Sequence, residues 1–150
     1  MPAPADDSDY QARVGALLQE LAQSGWTIGR NLRIDTRWTR GNANDSRKCA
    51  AELVALAPDV ILANGASTVG PLLQATRTVP IVFTQTPDPV GPGFVASLAR
   101  SGGNASGFTN FEYGTSAKWL ELLKEVAPRV MRAAVIRDPT IPPPGSASSP

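Results

Sequence analysis

The 150-residue chain reads as an α/β fold, a doubly wound and mostly parallel sheet. Three observations predict it. Helical and strand-like hydrophobic patterns alternate along the chain. The strand-like runs, such as those at 60–63 and 79–84, are short and almost wholly apolar, the form of strands in a parallel sheet. Each run ends in small, hydroxylated residues (NGAST, then TQTPDPVG), and a helical pattern follows, which is how a parallel sheet builds a ligand site at its carboxyl ends.

The elements follow in order. Tyr10, Val14, Leu17, Leu18 and Leu21 recur at helical spacing, with Gly25 placed to stop the helix. Residues 31–38 alternate, with Leu32, Ile34, Thr36 and Trp38 on one side and Arg33, Asp35 and Arg37 on the other, predicting a strand with one wet face. A polar turn at 41–46 offers Asn44 or Asp45 as cap of the next helix, whose inner face is Cys49, Leu53 and Leu56 and which Pro58 ends. A strand is expected at 60–63 and a helix at 68–77. Thr68 is preferred to Ser67 as its N-cap, because Pro71 then falls in the first turn, where no backbone donor is needed. A strand at 79–84, a helix at 90–100, a turn at 101–104 and a strand at 105–109 come next. A helix at 115–127, with Leu120, Leu123 and Val126 or Ala127 as its apolar face, leads to a last buried strand at 133–136. The end, PTIPPPGSASSP, cannot bury a core, and disorder is expected over 140–150.

Composition removes several function classes. Apolar residues make up 42% and charged residues 18%, which is globular. With 14 basic and 13 acidic residues the net charge is +1, which carries neither a nucleic-acid footprint nor a polybasic membrane patch. There is no histidine, hence neither the commonest metal ligand nor the commonest general base. The single Cys49 cannot close an internal disulfide and reads as a small buried thiol. No apolar run approaches the roughly 18 residues of a membrane span, and residues 1–9 have neither the basic start nor the apolar middle of a secretion signal. NGAST lacks the Lys-Ser/Thr of a P-loop, and neither GxGxxG nor GxSxG occurs. No catalytic residue, metal ligand or cofactor is therefore expected.

The ordered set GRNLRIDTRW, AAELVALAPDVILANGAST, VPIVFTQTPDPVGPGFVASLARSGGNASGFT and KWLELLKEVAPRVMRAAVIRDP resembles the substrate-binding proteins of ABC transporters with the type I periplasmic-binding fold. Within them it looks most like the subfamily whose ligands include aromatic amino acids. The resemblance covers about residues 10–139, and its surest elements are the turns DPVG at 88–91 and GGNASG at 102–107. It implies two α/β lobes closing on a small solute, which the whole protein, in the periplasm, delivers to a membrane permease. Residues 1–110 would be the amino-terminal lobe and 111–139 the hinge crossing and the start of the second lobe. The family's central first strand would precede residue 1 and most of the second lobe would follow residue 139, so the chain reads as a fragment truncated at both ends and lacking its secretion signal. A solute held from one side only should bind weakly.

Three strand-end loops are expected to converge. In the first, Asn64, Gly65, Ser67 and Thr68 offer hydroxyls and free helix-start amides to a carboxylate, while Ser67 and Thr68 could equally serve only as caps. In the second, Thr84, Gln85 and Thr86 can exchange hydrogen bonds with a polar ligand; Asp88 either pairs with an ammonium group or caps a turn between two prolines. In the third, Phe108 to Tyr113 on the crossing, Phe111 or Tyr113 could stack on an aromatic or apolar ligand or pack in the hinge. Trp26, Trp38 and Trp119 read as packing. Two other functions use this fold class. An effector-binding domain of a transcription regulator would need a basic recognition helix, which residues 1–30 do not supply. An α/β enzyme would need paired groups near a loop.

Overall fold

The computed structural model describes residues 8–39, 42–109, 115–129 and 131–132. Four helices and three strands follow in the order α1 (Ser8–Gln23), α2 (Ala43–Ala55), β1 (Ile61–Asn64), α3 (Ala66–Ala75), β2 (Ile81–Thr84), β3 (Ala105–Gly107) and α4 (Thr115–Val126). The strands form one parallel sheet in the order β1-β2-β3. Ile61 lies opposite Ile81 and Asn64 opposite Thr84; Ile81 lies opposite Ala105 and Phe83 opposite Gly107.

The period of two sets the core. Ile61, Ala63, Ile81, Phe83 and Ala105 point to one face and are buried with Ala50 of α2, Val69 and Leu72 of α3, and Val95. α3 packs on β1 and β2, and α2 packs on α3. Leu62, on the other face, is 52% exposed.

Helix ends follow local chemistry. α1 closes in a Schellman motif: Gly25 N–H donates to Ala22 C=O at 3.0 Å and Trp26 N–H to Leu21 C=O at 2.9 Å, with Gly25 at φ 87°. α2 is capped by Asn42, whose side-chain oxygen accepts from Asn44 N–H at 2.8 Å. Asn44 and Asp45, expected as caps, lie inside the helix, because the sequence GNAND holds three eligible residues and spacing alone cannot choose among them. The inner face of α2 is Ser46, Ala50, Leu53 and Val54; Leu56 is exposed and Cys49 half-buried, so of the expected stripe Leu53 packs against the core.

Ser46 brings a cost with it. It is 3% exposed, and its hydroxyl has no hydrogen-bond partner. A desolvated, unpaired hydroxyl costs about 1–3 kcal/mol, and alanine is also the better helix former. Ser46→Ala is expected to raise stability by about 1 kcal/mol in urea denaturation. A loss instead would mean that the hydroxyl is bonded.

Two expected elements are replaced by irregular chain. Residues 33–39 form no strand: the bridge Ile28–Leu32 is the nearest pairing. Asn31 staples the turn before it, accepting from Thr27 N–H at 2.6 Å and donating to Gly25 C=O at 3.0 Å. The segment is held instead by side chains. Arg37 pairs with Glu52 at 3.0 Å, and the Trp38 ring meets Tyr10 edge-on at 4.6 Å. Cys49 Sγ lies 3.8 Å from Trp38 C=O, a weak thiol contact. Alternation sets which side of a segment is apolar, but a strand also needs a neighbour to take its backbone hydrogen bonds, and the described residues provide none here.

Residues 90–100 are turns, not a helix. Pro92 has no N–H, and Gly93 sits at φ 74° after donating to Val90 C=O. The amides of Phe94 and Val95 both reach Pro89 C=O, and Ser97 and Arg100 exchange a pair of backbone bonds. Val95 still enters the core, with Phe94 packed against it, so this irregular crossover does part of the covering expected of a helix.

The GGNASG turn holds the amino ends of the strands. Asn104 Nδ2 donates to Val79 C=O at 2.7 Å and Thr76 C=O at 3.4 Å, and Asn104 C=O accepts from Ile81 N–H at 2.8 Å. On α4, Leu123 is exposed and Val126 is 84% exposed, so the face expected to be buried is open among the described residues. The strand expected at 133–136 and the tail lie outside the described residues.

Candidate functional site

Parallel pairing sends all three strands out at the same end of the sheet, so the loops after β1, β2 and β3 share one edge. The first two loops touch. Thr84 Oγ1 donates to Asn64 Oδ1 at 3.3 Å, and Gly65 N–H donates to Thr84 C=O at 2.9 Å. The tips at 64–68 and 84–88 thus form one surface.

α3 begins on that surface without a side-chain cap. Its N-cap is Gly65, at φ 86° and ψ 147°, a backbone region open essentially only to glycine. The cap therefore falls three residues before the preferred Thr68 and two before Ser67. Pro71 lies inside it, not in its first turn. Thr68 turns its hydroxyl back on the chain, donating to Gly65 C=O at 2.8 Å and Asn64 C=O at 3.3 Å. Those bonds pin the turn; with Thr68 N–H also donating to Gly65 C=O at 3.1 Å, the leading amides that stay unpaired are those of Ala66 and Ser67. Such amides are unpaired within any helix and carry the positive end of its dipole. Ser67 is exposed beside them.

The second loop is a rigid support with an exposed tip. Thr86 is fully buried and its hydroxyl donates to Thr84 C=O at 3.3 Å, so it anchors the loop instead of meeting a ligand. Pro89 is fully buried as well. Gln85 and Asp88 both hold positive φ, 52° and 44°, which non-glycine residues adopt rarely and mostly where function or local bonding demands it. Gln85 is exposed. Asp88 Oδ1 accepts from Gly91 N–H at 2.9 Å, the turn-capping role.

At the third exit Phe108 N–H donates to Phe83 C=O at 2.9 Å, and its side chain is 74% exposed. Phe111 and Tyr113 lie outside the described residues. Of the predicted site residues, Asn64, Gly65, Ser67, Thr68, Thr84, Gln85 and Asp88 are brought to one edge. Sequence reasoning put Phe108 in the third loop without giving it a role, and put Gly91 in the DPVG turn without pairing it to Asp88; their signals, an aromatic just past a strand and a glycine three residues after an aspartate, are weak alone. Trp38 packs on Tyr10, as expected, whereas Trp26 and Trp119 are about half exposed. Among the described residues no cluster of three metal-ligating side chains occurs, and no helix is long and apolar enough to cross a membrane.

An open parallel α/β sheet whose strand-end loops share one edge, three-stranded among the described residues, is the architecture of a periplasmic-binding-protein lobe. The chain belongs to the ABC transporter substrate-binding protein family, whose model matches residues 5–142. It is similar to the tyrosine-binding protein of Clostridioides difficile, 31% identical over 119 residues, which are 79% of this chain and 34% of that one. It is also similar to two solved structures. One is a conserved domain protein from Vibrio cholerae, with TM-score 0.67, 34% identity, and 77% of this chain covering 38% of that chain. The other is the ligand-free, open form of a substrate-binding protein with adhesive properties from Clostridium difficile, with TM-score 0.67, 29% identity, and 79% covering 40%. The chain thus spans about a third of the length of the curated relative it matches. The family is one of substrate-binding proteins and the curated relative is a tyrosine-binding protein, which decides against the enzyme reading.

Proposed function

We propose that this chain supplies the amino-terminal wall of a site for a free α-amino acid, with an aromatic one favoured. The whole protein, outside the cytoplasm, would hand the solute to the membrane permease of an ABC uptake system. In this reading residues 1–110 form the first lobe, residues 111–139 the crossing and the start of a second lobe, and residues 140–150 a tail. The observation that carries it is the uncapped start of α3 at the edge where Asn64 and Thr84 join the loops. A carboxylate there would meet two backbone donors, the amides of Ala66 and Ser67, and a favourable dipole. Ser67, Thr68, Thr84 and Gln85 would take the polar groups, and Phe108, with Phe111 from the crossing, the apolar ring. The tyrosine-binding relative supports the solute class.

Amide chemical-shift mapping with L-tyrosine and L-tryptophan tests this even when binding is weak. Saturable shifts are expected at Gly65, Ala66, Ser67 and Gln85. Tyramine, which lacks the carboxylate, should not move the α3 amides. Because one lobe covers one side of the solute, affinity should be weak for residues 1–150 alone. Shifts centred on Asn104, at the opposite end of the strands, or none up to the solubility limit, would overturn the proposal.

A further inference from the structure

We infer that Asp88 is a positioning residue: its carboxylate is an internal strut that holds Gln85 at the binding edge, not a partner for the ligand's ammonium group. The inference rests on the site proposed above. Its basis is the fit between Asp88 and Gly91. Asp88 Oδ1 accepts from Gly91 N–H at 2.9 Å. A Cβ on Gly91 would collide with Asp88 Oδ2 and come within 3.0 Å of Asp88 Cγ. The carboxylate therefore fills the space that the missing glycine side chain leaves, and both of its oxygens face the turn.

The surrounding chain makes the strut stiff. Pro87 and Pro89 flank Asp88, and Pro89 is fully buried with its carbonyl taking two amides, those of Phe94 and Val95. Thr86 is buried and bonded to Thr84 C=O. Gln85 and Asp88, on either side of the Thr86–Pro87 step, both sit at positive φ. Aspartate and asparagine tolerate that conformation when their side chains bond locally. Losing the bond to Gly91 should free Asp88 first and Gln85 with it, so the exposed amide of Gln85 would no longer be preorganised.

Asp88→Asn and Asp88→Gly separate the two roles. Asparagine keeps an acceptor for Gly91 N–H and suits positive φ, but removes the charge. Glycine suits positive φ but removes the acceptor. Two readouts are taken on each variant: hydrogen exchange of the Gly91 amide, and apparent affinity for L-tyrosine from shift titration. Asp88→Asn should match the parent in both. Asp88→Gly should lose Gly91 protection and about tenfold in affinity, the scale of one hydrogen bond to a charged group. An Asp88→Asn protein with protected Gly91 but affinity as poor as Asp88→Gly would show that the charge meets the ligand, and would overturn the inference. So would an Asp88→Gly protein that behaves as the parent. If no variant binds L-tyrosine, the proposed function fails; Gly91 exchange, retained in Asp88→Asn and lost in Asp88→Gly, then decides the strut by itself.

Discussion

Phe83→Ala is expected to cost about 3–5 kcal/mol of stability, the range for deleting a buried aromatic ring. Phe83 is 2% exposed in the central strand, with Ile81, Ala63 and Ala105 on its own face. The core is small, and every strand residue in it faces the same helical layer, so little else can collapse into the cavity. Small domains hold roughly 5–15 kcal/mol in all, so the loss should leave the variant largely unfolded in mild urea. Far-UV circular dichroism through a urea titration measures it. A change below about 1 kcal/mol would mean that the ring is not packed as described.

The second large effect is expected from Gly107→Ala. Gly107 lies opposite Phe83 in the β2–β3 pairing. A Cβ there would collide with Phe83 C=O and lie 2.7 Å from both Phe83 N and Phe83 Cδ2. The obstruction is backbone, which cannot swing aside as a long side chain can. β3 would have to move off β2, breaking the Phe108 N–H to Phe83 C=O bond and opening the third exit of the site. Overpacking of this kind costs about 1–3 kcal/mol and sometimes more, and loss of a three-residue strand puts it at the upper end. Gly103→Ala is the control, since nothing lies within 4 Å of a Cβ at Gly103. Thermal melts should show Gly107→Ala well below the parent and Gly103→Ala close to it. Equal melts for the two variants would refute the β2–β3 register.

Much of the architecture was legible in the sequence. The runs at 60–63 and 79–84 became β1 and β2 with shifts of one or two residues, because continuous apolar runs closed by Pro58 and by NGAST leave few alternatives. Gly25 stops α1 as expected, since glycine adopts its left-handed turn at no steric cost. The segment 90–100 misled because its apolar spacing fits a helix while Gly91, Pro92 and Gly93 remove the first turn. Residues 31–38 depart from expectation for another reason: the alternation is there, but pairing is a property of two segments.

The site divides the same way. The residues Asn64, Gly65, Ser67, Thr68, Thr84, Gln85 and Asp88 were found as loop chemistry at strand ends. The division of labour among them was not. Sequence suggested a hydroxyl cap for α3, and the fold supplies Gly65 with Thr68 bonded backward. Sequence left Asp88 between ligand and turn, and the fold turns it on Gly91.

Sequence by itself determined the α/β class, the order of the strands along the chain, and the loops that carry polar chemistry, because hydrophobic period and Gly/Pro punctuation act within a few residues of themselves. Tertiary structure alone decided the register in which β1 to β3 pair, which face is covered, and which hydroxyls and carboxylates are spent on the chain itself. Those depend on contacts such as Thr84 with Asn64 and Asn104 with Thr76, between residues 20 and 28 positions apart, which no local pattern encodes.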